Sequence, residues 1–317
     1  VSTHQDDSNA GADDRKPQGG GLSLLVWKMF NRTKGFLKRM GFKKLPGSER
    51  IYVFLKRSLR PRGTVLLESH GNKMYADAKD EGVLPLLQSG GIYEEFETGL
   101  FMQMLAPGMV VVDIGANIGH YTLIAARIVG DTGRVFAFEP DPNNYGLLVK
   151  NIEMNGFSNV TAVNKAVSKE PGTITLYLDK YNLGGHSFSQ ENVLISAGEV
   201  SVETTSLDDF LATEGAAARV DLIKMDTQGA EGFIIEGAQR VLEENEPVMF
   251  MELWPFGLRN AGYDPATLIV NLEKLGYKFK VIDRDGEEAR ESDAGAVIEM
   301  CASMKSDDQH VDLFLQV

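Results

Sequence analysis

Residues 110–122 read VVVDIGANIGHYT, a β-branched run that ends on an aspartate and then turns through Gly115 and Gly119. A buried strand that stops on a charged side chain and passes straight into a helix leaves little choice of fold. Strand, tight turn and helix in that order form the first half of a βαβ unit. The glycines let the backbone turn and approach a ligand with no side chain in the way. The helix starting near His120 offers unpaired N–H groups and the positive end of its dipole. One strand later the pattern recurs, as VFAFEP (135–140) ends on Glu139, 20 residues past Gly119. In a nucleotide-binding sheet an acid at that place accepts hydrogen bonds from ribose hydroxyls.

The chain beyond continues in the same alternation. Strands are predicted at 109–115, 134–140, 159–167, 219–226, 246–253, 277–283 and 311–317, with helices at 92–108, 120–130, 143–156, 231–244 and 265–276. Alternating strands and helices specify an α/β class: a doubly wound, Rossmann-like, mostly parallel sheet with helices on both faces. Such sheets bind ligands beyond the carboxyl ends of their strands. TITLYL (173–178) and VSVETTSL (200–207) read as an added β-hairpin, joined through the Gly-rich stretch YNLGGHSFS (181–189). Three regions are expected: a disordered leader over 1–21, a basic, helical N-terminal extension over 22–90, and the catalytic α/β domain over 91–317.

The glycine spacing narrows the ligand. A pyrophosphate cofactor favours G-x-G-x-x-G with no anion beneath it, whereas here the turn is D-x-G-x-N-x-G, and Asp113 would repel a pyrophosphate. An acid suits a ligand with a cationic end, such as the amino group and sulfonium of S-adenosyl-L-methionine. The bland alternative is a strand–helix turn whose aspartate only caps the helix. The candidate cofactor-binding residues are Asp113, Gly115, Ala116, Asn117 and Gly119 in the turn, and Glu139, Pro140 and Asn143 after the second strand. Asn164, Lys165 and Ala166 end the third strand, where a small residue leaves room for a flat adenine ring.

VVVDIGANIGHYT, VFAFEPDPNNY, NKAVS (164–168) and VDLIKMDTQGAE (220–231), taken together, resemble the FkbM-type S-adenosylmethionine-dependent methyltransferases. The resemblance spans about residues 93–283, including GGHSF and TSLDDFL (205–211), and leaves 1–90 uncovered. It implies a seven-stranded sheet whose last strand, 311–317, runs antiparallel. It also implies O-methylation of a hydroxyl on a sugar, a glycan or a specialised metabolite, and contacts from Glu94 and Thr98 to the methionine end of the cofactor. The chain departs from the family pattern at Gln228, where Glu is common, so position 228 is given no acid–base role.

Methyl transfer is an in-line displacement, which asks the protein to align an acceptor oxygen and exclude water. An alcohol acceptor also benefits from a general base within hydrogen-bond reach. Asp226, ending the fourth strand, is the first candidate for base or acceptor orienter, and equally a candidate cofactor ligand. His186, between glycines in GGHSF, is the second catalytic candidate, since histidine titrates in the useful range. His120 reads as structural or close to the cofactor. Glu252, with Trp254 and Phe256, ends the fifth strand on the same rim. No carboxylates or histidines stand at ligand spacing, so no metal ligand is assigned, and only Asp226 with other strand-end acids brought together by the fold could supply a divalent site.

Charge bears on the partners. The net charge is −13, yet residues 22–62 hold twelve Lys and Arg against Glu49 alone, while the leader holds four Asp against Arg15 and Lys16. The remainder is therefore strongly acidic, which argues against nucleic acid as substrate. The run MDTQ (225–228) is likewise unlike the Asn/Asp-Pro-Pro-aromatic run of amino-group methyltransferases. Residues 27–42 interleave Phe30, Phe36, Leu37 and Met40 with basic residues, as a helix would that packs on an acidic body or touches an anionic membrane surface from the periphery. The lone cysteine, Cys301, excludes an internal disulfide and suits a reducing, cytoplasmic setting. Two rivals stay open: an NAD(P)-dependent oxidoreductase on a similar sheet, and a methyltransferase-like scaffold without catalysis. Acceptor identity and oligomeric state are open as well.

Overall fold

A computed structural model describes residues 63–80, 82, 94–213, 219–283 and 287–317. The leader over 1–21, the basic segment over 22–62 and the start of the 92–108 helix lie outside the described residues. Compactness divides the chain into residues 1–65 with 77–79, and residues 66–76 with 80–317. In the first unit the Ala78 N–H donates to the Gly63 carbonyl at 2.9 Å.

The first described elements are the hairpin strands β1 (Thr64–Ser69) and β2 (Asn72–Asp77). Their turn is His70-Gly71, with φ of 48° and 77°, as a two-residue turn between twisted strands requires. Then follow α1 (Glu95–Met104), β3 (Val110–Ile114), α2 (His120–Val129), β4 (Arg134–Phe138), α3 (Pro142–Asn155) and β5 (Val160–Val163). A smaller sheet is built from β6 (Ala166–Val167), β7 (Gly172–Asp179) and β8 (Ser196–Thr205). The chain returns through α4 (Leu207–Thr213), β9 (Leu222–Met225), α5 (Glu231–Glu236), α6 (Gln239–Asn245) and β10 (Val248–Leu253). It ends with α7 (Pro255–Asn260), α8 (Pro265–Lys274), β11 (Lys278–Asp283), β12 (Glu288–Ser292), α9 (Ala294–Ser303) and β13 (Val311–Gln316).

The main sheet runs β12-β11-β13-β10-β9-β3-β4-β5. The five strands from β10 to β5 are mutually parallel, and β13 is antiparallel to both of its neighbours. The seven expected strands and the reversed last strand are all present. An eighth, β12, is added antiparallel along β11.

Two further boundaries differ from the expectation. The run at 159–167 breaks into β5 and β6, which belong to different sheets. The helix expected over 231–244 breaks at Gly237, where a Cβ would lie 2.2 Å from the Ser168 carbonyl oxygen, so bare backbone is needed for close packing. The expected hairpin is β7–β8, with β6 joined to it in parallel.

The four central strands alternate their apolar residues between two covered faces. Val112, Phe136, Ile223 and Met249 pack on one side, and Val111, Val135, Leu222 and Phe250 on the other. Each such side chain contributes about 1.5–3 kcal/mol on burial.

Two asparagines hold β2 against α3. The Asn151 amide accepts from the Tyr75 N–H at 2.6 Å and donates to the Tyr75 carbonyl at 3.0 Å and the Ile118 carbonyl at 2.8 Å. One turn on, the Asn155 amide accepts from the Lys73 N–H at 2.9 Å and donates to the Lys73 carbonyl. Alternate strand residues thus meet side chains four apart on a helix, each amide standing in for a strand partner. Asn151 is fully buried, so Asn151→Leu orphans backbone groups on two elements and should cost about 2–4 kcal/mol. Asn155 is partly exposed, and Asn155→Leu should cost less than half as much. Urea unfolding midpoints check both values; equal losses would show that burial does not set the cost.

Candidate active site

The carboxyl ends of β5, β4, β3, β9 and β10 open onto one cavity of about 380 Å³. Its lining follows the sheet order: Lys165 and Ala166, then Glu139 and Pro140, then Gly115 to Asn117, then Asp226 to Gln228, then Glu252. Four strand spacings make it about 19 Å across.

The turn after β3 is pinned to the end of β4, with the Gly115 and Ala116 N–H groups donating to the Phe138 carbonyl at 3.0 and 2.9 Å. Asp113 is buried beneath it and accepts from Thr122 Oγ1 at 2.5 Å. Burial pushes its carboxyl up to about 6, against the Thr122 hydrogen bond and the Lys224 charge. Glu139 is buried too: Oε2 accepts from the Asn117 N–H at 2.8 Å and Oε1 from the Asp141 N–H at 2.9 Å. Burial lifts it to about 8, although both hydrogen bonds pull the other way. Asn164 fixes the same corner from outside, its amide donating to the Glu139 and Pro140 carbonyls at 2.8 and 3.1 Å.

At the other end, Asp226 Oδ1 accepts from Gln228 Nε2 at 3.0 Å, and the same nitrogen donates to Glu252 Oε1 at 3.2 Å. Burial, with the charges of Asp226, Asp312 and Glu94, holds Glu252 well above the usual carboxylate range. Lys224 is buried in β9, with Nζ 3.4 Å from Glu97 Oε1 and 4.9 Å from the Tyr121 ring centroid. Burial works against its charge, but Glu97, Asp226, Glu94 and Glu252 outweigh it and keep the ammonium intact. Tyr121 donates to Glu94 Oε2 at 3.0 Å. Burial pushes His120 down to about 3, which leaves it neutral.

The loop after β7 closes one side. Asp179 gathers the Tyr181 and Asn182 N–H groups on Oδ1, each at 2.8 Å, and its own N–H donates to His186 Nδ1 at 3.0 Å. Ser187 Oγ donates to the Gln228 carbonyl at 2.8 Å, latching the loop to the turn after β9. With Nδ1 accepting, a neutral His186 carries its proton on Nε2. Burial lowers its pKa, so the ring is a hydrogen-bond donor there.

Of the residues singled out in the sequence, Glu94, Asp113, Gly115, Ala116, Asn117, Glu139, Pro140, Lys165, Ala166, His186 and Asp226 line the cavity. Thr98, Gly119, Asn143 and Asn164 do not. Thr98 is buried behind the wall, 3.4 Å from His120 Nε2. Gly119, at φ 98°, begins α2 against Leu148. Asn143 points outward, and its neighbour Asn144 takes the inner place, donating to the Leu183 carbonyl at 2.8 Å. Lys224 and Tyr121 were missed. A lysine inside an otherwise apolar strand was the available signal, since it demands a buried counter-ion. No metal ligand was assigned from the sequence, but among the described residues Glu252, His310 and Asp312 bring one donor atom each within 4.8 Å of one another. All three are engaged in further interactions.

The methyltransferase FkbM domain matches residues 113–279, more than half of the chain. The chain belongs to the FkbM methyltransferase family. Relatives of this FkbM chain include Methyltransferase 1 of Beauveria bassiana, 30% identical over 143 residues covering 40% of this chain and 57% of that protein. The hexuronic acid methyltransferase AglP of Haloferax volcanii is 26% identical over 179 residues, 56% of this chain and 67% of that one. The 2-O-methyltransferase NoeI of Sinorhizobium fredii is 30% identical over 149 residues, 43% of this chain and 60% of that one. The matches therefore span between about half and two thirds of these relatives. A solved FkbM methyltransferase from Methylobacillus flagellatus KT is 16% identical, covering 74% of this chain and 52% of that one, with a TM-score of 0.39.

The cofactor of this FkbM chain is S-adenosyl-L-methionine, and the lining fits it. Asp113 and Glu94 supply anions for an amino-acid end, and Glu139 keeps lone pairs for hydroxyl donors beyond its two backbone bonds. The buried Asn117 Oδ1 has no hydrogen-bond partner among the described residues, so a donor from a ligand would satisfy it. Among the described residues, no helix is long and apolar enough to cross a membrane.

Proposed function

We propose that the protein methylates a hydroxyl oxygen on a sugar, a glycan or a specialised metabolite, with Asp226 as the base that accepts the hydroxyl proton. S-adenosylmethionine, when bound, supplies a methyl carbon already activated by its sulfonium. The observation that carries the reading is the single cavity on which Asp113, Glu139 and Asp226 converge from three adjacent strand ends.

The roles follow from placement. Glu139, Asn117 and Pro140 hold the nucleoside, with Lys165 and Ala166 beside the base. Glu94 and Asp113 face the amino-acid tail, buttressed by Tyr121 and Thr122. Asp226 is held with one oxygen on the Gln228 amide, which leaves the other for an acceptor hydroxyl. His186 donates from Nε2 and orients the acceptor. The latched 181–192 loop narrows the opening and keeps water away from the transfer. Relatives named for a hexuronic acid and for 2-O-methylation support oxygen as the acceptor atom. The acidic rim weighs against a nucleic-acid substrate.

Isotope transfer from methyl-labelled S-adenosylmethionine to neutral glycosides, uronic acids and hydroxylated metabolites tests the reading. Asp226→Asn should lose at least about a hundredfold in turnover while binding S-adenosylhomocysteine within a few-fold of wild type. Label found on amines alone would refute oxygen as the acceptor, and full turnover by the variant would remove Asp226 as the base.

A further inference from the structure

Gln228 is the residue in the cavity whose geometry is least explained by cofactor binding. Its backbone sits at φ 53°, a left-handed conformation that is uncommon for a residue other than glycine. That conformation is held from two sides. The Gln228 carbonyl accepts from Ser187 Oγ at 2.8 Å, and two residues earlier the Asp226 N–H donates to the Ile114 carbonyl at 3.0 Å. The result aims the amide between the ends of β9 and β10, where Nε2 reaches Asp226 Oδ1 at 3.0 Å and Glu252 Oε1 at 3.2 Å. Two acceptor oxygens fix which end of the amide faces them, because only its nitrogen carries two donors.

We propose that Gln228 is a positioning residue for methyl transfer: an uncharged clamp that locks Asp226 and Glu252 together and limits the negative charge beside the acceptor. The clamp rests on the geometry alone, and its bearing on catalysis rests on the methyltransferase reading. Charge explains why the clamp is an amide. Glu252 feels the acids Asp226, Asp312 and Glu94, and one buried cation, Lys224, interacts with both Asp226 and Glu252. Asp226 also acts on Asp113 and Glu231, and His310 lies beside Asp312, with Nε2 3.9 Å from Oδ2. A carboxylate at 228 would add a charge to an excess of acids and would bring no donor. The glutamine contributes two donors and no charge, so it aims Asp226 and Glu252 without adding a further acid beside them.

Two measurements test this. In 15N-labelled, ligand-free protein, the Gln228 amide pair is assigned by its loss in Gln228→Glu. Both of its protons should exchange slowly with solvent and shift as the carboxylates titrate; fast-exchanging, pH-independent amide protons would overturn the clamp. The second measurement compares S-adenosylhomocysteine with sinefungin, which carries an amine where the methyl group is transferred. Gln228→Glu should tighten sinefungin roughly tenfold relative to S-adenosylhomocysteine. Gln228→Met, which removes both donors, should raise the midpoint of that selectivity by about one pH unit. Equal changes for both ligands would mean that Gln228 only shapes the turn, and the proposal would fall. Failure of wild type to bind S-adenosylhomocysteine would instead defeat the methyltransferase reading, with the amide spectrum still deciding the clamp.

Discussion

Replacing Gly115 with alanine should abolish binding of S-adenosylmethionine and lower the melting temperature by roughly 10 °C. Gly115 adopts φ 82°, and a Cβ there would stand 1.9 Å from the Asp226 carbonyl oxygen and 2.9 Å from its carbon. Both are backbone atoms, so no side chain can swing aside. They belong to the end of β9, which is hydrogen-bonded along β3. Relief therefore requires the two central strand ends to separate. Left-handed strain and overpacking cost about 1–3 kcal/mol each, and the displaced atoms carry Asp113, Asp226 and the turn between them. A thermal melt together with calorimetric titration decides the matter. A variant melting within two or three degrees of wild type and still binding cofactor would show that the strand ends yield easily, against the packing described above.

The second large effect concerns Glu139 and changes character with pH. Its carboxyl is raised from 4.5 to about 8 by burial, so between those values the folded chain holds a proton that the unfolded chain has lost. Stability from this group is full below about 4.5 and is lost as pH rises through 8. Asp113, near 6, and Glu231, near 7, act in the same direction for the same reason. Glu139→Gln removes the titration but turns one NH2 group toward a backbone N–H, either that of Asn117 or that of Asp141. The unsatisfied donor costs about 1–3 kcal/mol. The variant should therefore be less stable than wild type at pH 5.5, with the gap closing by pH 8. Its affinity for S-adenosylhomocysteine should fall at least about tenfold, because an oxygen able to accept from ligand hydroxyls is replaced by an NH2 group that can only donate. Denaturant unfolding at three pH values and calorimetry measure both; parallel pH profiles for the two proteins would remove Glu139 as the titrating group.

What the sequence made legible was whatever a local pattern can carry. Asp113 and Glu139 were readable because a charge at the end of an apolar run is anomalous without a ligand. Asp226 was readable for the same reason. Asn143 was not separable from Asn144, since the cap formed by Asp141 sets which residue of the first turn faces inward. Asn164 stood at the right strand end, but its amide was drawn to the Glu139 and Pro140 carbonyls, a contact no spacing encodes. The Lys224–Glu97 pair depends on α1 packing at the end of β9, and the Gln228 bridge depends on two strands meeting. The asparagine contacts between β2 and α3 replace a strand ladder with side chains, which leaves no periodic trace at all.

β12 escaped for a different reason: Glu-Ala-Arg-Glu-Ser has no apolar alternation. Its charges are matched at home instead. Lys280 pairs with Glu291 at 2.9 Å, and Arg290 reaches both Glu288 and Asp283. As the last strand on its side of the sheet, it presents a row of backbone groups to which another chain could add a strand. A smooth, greasy edge there would invite copies to stack into fibrils, whereas an intruding strand must lie against these exposed charges. The composition that hides β12 from a pattern search is thus also what discourages the sheet from growing across molecules, and apolar substitutions at Glu288, Arg290 and Glu291 would be paid for in aggregation before any loss of catalysis.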